Sequence, residues 1–146
     1  MNQACGGFTV VEVVLAMAVT ALAAAAAVTA WGGLEGLRLT RAAAVAESHL
    51  RAARLRALSA RERLDVTVSG TIVETRRKVD GFLVARTDLA EVAMGGADSV
   101  ALRPATLRFN ARGHGAAGSL YLYRDERGIR LISNFLGRVR REKVSR

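Results

Sequence analysis

Cysteine occurs only once, at Cys5, in this sequence of 146 residues. A lone thiol excludes an intramolecular disulfide framework and leaves no thiolate set for a structural zinc site. It does not make a lipobox either, because a lipobox needs its apolar stretch before the cysteine and here that stretch follows it. Proline also occurs once, at Pro104, where it points to a strand edge or a bulge. Aromatic residues are 5% of the chain against 51% hydrophobic residues, because Ala and Val crowd the first third. Positive charge is missing from the N-terminal part altogether. All 22 Lys and Arg lie at or after Arg38, and only Glu12 and Glu35 of the 13 acidic residues precede it. The formal charge of +9 therefore sits on the later part of the chain. It favours anionic partners such as nucleic acid, lipid headgroups or an acidic protein face without choosing among them. An Arg-rich composition of the kind GC-rich genomes produce gives the same count.

Recognisable catalytic and metal-binding patterns are lacking too. His49 and His114 have no carboxylate or cysteine at metal-ligand spacing, and both are expected at the surface. The Gly113 to Gly118 stretch is followed by neither Lys-Ser nor Lys-Thr, so it reads as a hairpin loop rather than a phosphate-binding loop. No Gly-x-Ser-x-Gly elbow marks a nucleophile. The chain is expected to be no enzyme and to need no cofactor or metal.

What is present begins at the N-terminus. No charged residue occurs from Val13 to Leu34, and Thr20 and Thr29 are the only hydroxyl interruptions. Roughly 20 apolar residues at about 1.5 Å each span a bilayer core, and Phe8 to Trp31 meets that length with Trp31 placed as an interfacial aromatic. A secretory signal has another order: basic residues, a shorter apolar region, then a small-residue cleavage site. A carboxylate at Glu12, near the end of a membrane helix, needs a partner.

Gly7-Phe8-Thr9-Val10-Val11-Glu12 resembles the prepilin signal of type IV pilins and type II secretion pseudopilins. That resemblance implies cleavage after Gly7 by a prepilin peptidase, N-methylation of Phe8, and loss of Cys5 with the leader. It implies that Glu12 meets the N-terminal amine of a neighbouring subunit's Phe8 in a growing fibre. Leaders of this kind usually contain Lys or Arg and this one contains none, so either the positive-inside bias is weak or the true start codon lies upstream. The leader belongs on the cytoplasmic side, which puts the basic domain in the periplasm, anchored by one span in the inner membrane, or outside the cell at a pilus tip.

Beyond the membrane segment, residues 35–63 read as a continuing amphipathic helix. Leu34, Leu37, Val45, Leu50, Leu55 and Leu58 supply its apolar positions, and its arginines form mostly a solvated face. From Leu64 the period changes to two. Val66 and Val68, Ile72 and Val73, Phe82 and Val84, Val100 to Arg103, Leu107 to Phe109, Leu120 to Tyr123 and Ile129 to Ile132 predict short antiparallel strands. So small a strand region must bury a face against the helix. The fold class is thus α+β: a long N-terminal helix, half transmembrane and half amphipathic, packed on a small antiparallel sheet domain, which is also the pilin architecture. The expected divisions are a leader over 1–7, a transmembrane assembly helix over 8–34, its amphipathic continuation over 35–63, and a β-rich domain with a basic C-terminal tail over 64–146.

Leu107-Arg108-Phe109-Asn110-Ala111-Arg112-Gly113, Gly118-Ser119-Leu120, Ile129-Arg130-Leu131-Ile132-Ser133 and Gly137-Arg138-Val139-Arg140 are together similar to the GspH/FimT branch of minor pilins and pseudopilins. In an extended chain Arg138 and Arg140 project from one side and bracket two phosphates, with Arg141 and Lys143 adding contacts. Gly-Arg-x-Arg also resembles the DNA-binding motif of FimT-type pilins active in natural transformation, which makes these four residues the candidate DNA site. In secretion pseudopilins the same strand faces solvent or a neighbouring subunit. The implied partners are other pilins or pseudopilins, the prepilin peptidase and methyltransferase, cytoplasmic membrane lipid, and DNA. A rival reading is an uncleaved single-span protein with an unrelated β domain.

Overall fold

A computed structural model describes residues 9–92 and 95–145. Gly7 and Phe8, the expected cleavage and methylation positions, lie outside the described residues, as do Cys5 and the side chains of Trp31 and Leu34. The chain forms two compact units, Met1–Glu35 and Gly36–Arg146. Helix α1, Val10–Ser59, contributes to both.

In the first unit the helix is capped by Thr9. The Glu12 backbone N–H donates to Thr9 Oγ1 at 3.3 Å and to the Thr9 carbonyl at 3.0 Å, which satisfies donors the first turn leaves open. Val10–Thr29 is 20 residues of mean hydropathy 2.3, none of it buried. At about 1.5 Å per residue it has the length of a bilayer core. The hydroxyls of Thr20 and Thr29 donate back to the carbonyls of Met17 and Ala26, each at 2.9 Å. An apolar surround would therefore meet no unpaired hydroxyl.

In the second unit the helix buries Leu39, Ala42, Ala43, Ala46, Leu50, Ala53 and Ala57, a stripe at three- and four-residue steps. The leucines expected to form that stripe mostly do not. Leu50 is buried and Val45 half-buried, but Leu37, Leu55 and Leu58 are exposed. Alanines face inward because small side chains let a helix approach a sheet closely, so the packing stripe is marked by methyl groups rather than bulk. The helix ends at Ser59, short of the expected Arg63. Arg61 adopts a left-handed conformation with φ 53, and the Glu62 N–H reaches back to the Ala57 carbonyl at 3.1 Å, the hydrogen bond that closes a Schellman motif.

Among the described residues eight strands follow: β1 Leu64–Ser69, β2 Ile72–Arg77, β3 Leu83–Asp88, β4 Ser99–Arg103, β5 Thr106–Phe109, β6 Gly118–Arg124, β7 Arg127–Ser133 and β8 Val139–Ser145. They form two four-stranded antiparallel sheets, ordered β3-β2-β1-β5 and β4-β6-β7-β8. Alternate residues point inward, so Leu64 and Val66, Leu107 and Phe109, Leu120 and Leu122, and Ile129 and Leu131 close one core with the helix alanines. The basic stretch expected as a tail is the edge strand β8, paired to β7 from Ser133↔Val139 to Arg127↔Ser145. Its charges protect an open sheet edge.

His49, expected at the surface, is 8% exposed. Its Nδ1 lies 2.9 Å from Thr87 Oγ1 and its Nε2 2.8 Å from Thr75 Oγ1. The helix stripe runs beneath β2 and β3, and two threonine hydroxyls there give both ring nitrogens a partner, which makes burial affordable.

Candidate functional site

The first candidate is the head of the apolar helix. Glu12 stands in its first turn, where a carboxylate is favoured by the helix dipole. Thr9-x-x-Glu12 is also capping-box spacing, so part of the local reason for a Glu here is helix initiation. The role of Thr9 as the cap was legible in that spacing. Glu12 is exposed, and among the described residues no cation is paired with it. In hydrocarbon such a carboxylate is costly until a positive group meets it.

The second candidate is the C-terminal basic set, which the structure does not gather on one face. Arg138 precedes β8; its backbone N–H donates to Asn134 Oδ1 at 2.9 Å, closing the turn from β7. Arg141 is paired across β7 with Leu131 and Lys143 with Ile129, whereas Arg140 is paired with Ile132. Strand alternation therefore puts Arg141 and Lys143 on the core-facing side of the sheet and Arg140 on the other. Arg141 is ion-paired to Glu47 on the helix at 2.8 Å. Lys143 lines a depression with Leu39 and Thr40, about 20 Å along the helix from the turn of Arg138.

Arg138 instead faces a groove of about 450 Å³ shared with Arg51, Arg54, Leu55, Gly137 and Val139. Arg54 is locked there, its Nε donating to the Gly113 carbonyl at 2.9 Å. Gly137 has φ 71, and a Cβ on it would sit 2.6 Å from Arg54 Cδ. The glycine of the Gly-Arg-Val-Arg run thus serves the turn and the passage of Arg54. Arg51 is held by Glu47 at 2.5 Å. Sequence reasoning missed Arg51 and Arg54 as companions of Arg138. Nothing local marks them among the helix arginines; only the folding of the β7–β8 turn onto the helix does.

Among the described residues, two groups titrate away from their ordinary values. Desolvation holds His49 below 6.5, because a buried imidazolium loses its water. Asp88 is lowered from 3.8 by the backbone N–H of Ala90 and by the Thr71 hydroxyl, at 2.9 and 2.8 Å. Among the described residues, no cluster of three or more His, Cys, Asp or Glu stands close enough to hold a metal ion.

Residues 2–28 match the prokaryotic N-terminal methylation motif. Two crystal forms of the type IV minor pilin FimU from Pseudomonas aeruginosa are similar in structure. One has 21% identity and a TM-score of 0.57 over 74% of this chain and 90% of that one. The other has 20% identity and a TM-score of 0.56 over 71% and 92%. No curated protein matches the sequence. With a methylation motif at the head of an apolar helix and an α+β domain of the minor-pilin fold behind it, the chain is pilin-like.

Proposed function

We propose that this chain is a minor pilin or pseudopilin that assembles into a type IV pilus or a type II secretion pseudopilus, with a structural rather than catalytic role. The observation that carries the proposal is an exposed 20-residue apolar helix whose first turn holds a carboxylate with no cation paired to it among the described residues, placed within a methylation motif. Such a helix needs a bilayer before assembly and other helices after it. In this reading the peptidase cuts after Gly7, Phe8 is methylated, and Glu12 receives the amine of a neighbour. The basic domain is displayed on the periplasmic side of the inner membrane or at a fibre tip. Intact-mass measurement of the protein from cells with and without a prepilin peptidase tests it. Loss of residues 1–7 with gain of one methyl is expected, and an unprocessed Met1 in both strains would overturn it.

A second reading is a FimT-like minor pilin that binds DNA for uptake. It is supported by the groove that sets Arg138 beside Arg51 and Arg54. In this version Arg141 contributes little, since it is committed to Glu47.

A further inference from the structure

A second concave basic site lies past the C-terminal end of the helix, lined by the 110–116 loop whose Gly113 carbonyl takes the Arg54 hydrogen bond. A depression of about 330 Å³ is walled by Arg63, Asp65, Lys78, Arg108 and His114 over a floor of Phe109 and Ala116. A smaller one that also brings in Arg112 shares Arg63, Asn110 and His114 with it. The lining cations come from separate elements: the helix-to-β1 link, the β2–β3 turn, β5 and the 110–116 loop.

Backbone hydrogen bonds tie these segments together. The Lys78 N–H donates to the Arg63 carbonyl at 2.9 Å, and Ala116 and Asn110 are tied to Arg108 and His114 at 2.8 and 2.9 Å. Asn110 Oδ1 accepts the N–H groups of Arg112 and His114 at 2.9 and 3.0 Å. The nearby acids are engaged elsewhere, since Glu62 and Asp80 both hold Arg77 at 3.0 and 3.1 Å. Among the described residues Arg63, Lys78 and Arg112 have no acidic partner.

Asp65 is the one carboxylate in the wall. Its Oδ1 is buried without a hydrogen bond, with Arg108 Nε 3.9 Å away. The side chain as a whole is 25% exposed and lines the depression, where a carboxylate can accept a hydrogen bond.

We propose that this depression binds a small phosphate monoester carrying a hydroxyl close to its phosphoryl group. A compact dianion suits cations gathered around one depression, whereas a strand-like polyanion is better served by cations in a line. The lining carboxylate repels a bare anion and rewards one that brings a donor with it.

The test uses the full chain in neutral detergent micelles at low salt, titrated calorimetrically with sn-glycerol 3-phosphate, inorganic phosphate, glycerol and oligothymidylate. Saturable one-to-one binding of glycerol 3-phosphate, tighter than inorganic phosphate and absent for glycerol, is expected. Arg63→Gln with Lys78→Gln, both exposed, is expected to weaken it by about tenfold or more, the loss of two charge-assisted hydrogen bonds. Asp65→Ala is expected to tighten inorganic phosphate and abolish the preference for the ester, which a merely structural role would not do. If the double variant melts early, Arg112→Gln gives the same reading from the loop. No saturation at millimolar ester, equal binding by the double variant, or binding of the oligonucleotide without the ester would each overturn the proposal.

Discussion

His49 gives the pH dependence of the domain a definite sign. Its folded value lies below its ordinary 6.5, so the unfolded chain binds the proton more readily and stability falls as pH drops through 6.5 toward the folded value. Above that window the contribution is fully present. Both Thr75 and Thr87 hydroxyls can accept as well as donate, so an imidazolium there would still be hydrogen-bonded; the penalty is desolvation. Asp88 is also lowered, first by the Ala90 N–H, from 3.8. Its contribution is present above that value and is lost only at still lower pH. The melting temperature of the full chain is expected to fall between pH 7.5 and 5, and the slope should flatten in His49→Gln. An unchanged slope would show that burial of His49 does not control the titration. His49→Leu fills the space but strands the buried Thr75 hydroxyl, and is expected to cost about 1–3 kcal/mol in urea unfolding. Gly137→Ala places a Cβ at φ 71 against Arg54, and is expected to lose at least about 1 kcal/mol. The same measurement would show whether this glycine belongs to the turn, since a surface motif residue would lose almost nothing.

Between elements, the helix stripe decides how near the sheets come. Ala46 is fully buried, and Ala46→Leu is expected to cost about 1–3 kcal/mol by overpacking. Leu55 is 65% exposed, and Leu55→Ala is expected to stay within about 0.5 kcal/mol of the parent in chemical denaturation. A larger loss at 55 than at 46 would reverse the assignment of faces. Much of this architecture was legible in the sequence: the charge-free run, the change to period two at Leu64, and seven of the strands. The alanine stripe was not, because Ala fills both faces of this helix and the bulkier leucines mislead. The last strand was half-legible. Its charges at Arg140 to Lys143 read as a tail because an edge strand with one covered face has little apolar periodicity to show. His49 was unreadable because its partners Thr75 and Thr87 are 26 and 38 residues away. Arg138 was legible as a candidate, but its companions Arg51 and Arg54 come from the helix and appear only once β7 and β8 turn back on it.

At the scale of the whole molecule, the two units divide the labour. The second carries its own core of helix alanines and two sheets, so its stability does not depend on Glu12. The first holds an apolar helical stretch, Val10–Thr29, with no buried residue, which in the proposed function is covered by lipid or by other helices. Glu12→Gln keeps the shape and the Thr9 cap while removing the charge. The melting curve of the domain is therefore expected to be unchanged, and the protein should still enter the membrane. In the proposed assembly, incorporation into sheared fibres, measured by immunoblot against the membrane pool, is expected to fall by about tenfold or more, because a neighbour's buried amine would be left without its counter-charge, a loss of about 3–5 kcal/mol when a buried pair is broken. Equal incorporation would mean that Glu12 serves only to start the helix, and the fibre would then be held by apolar packing alone.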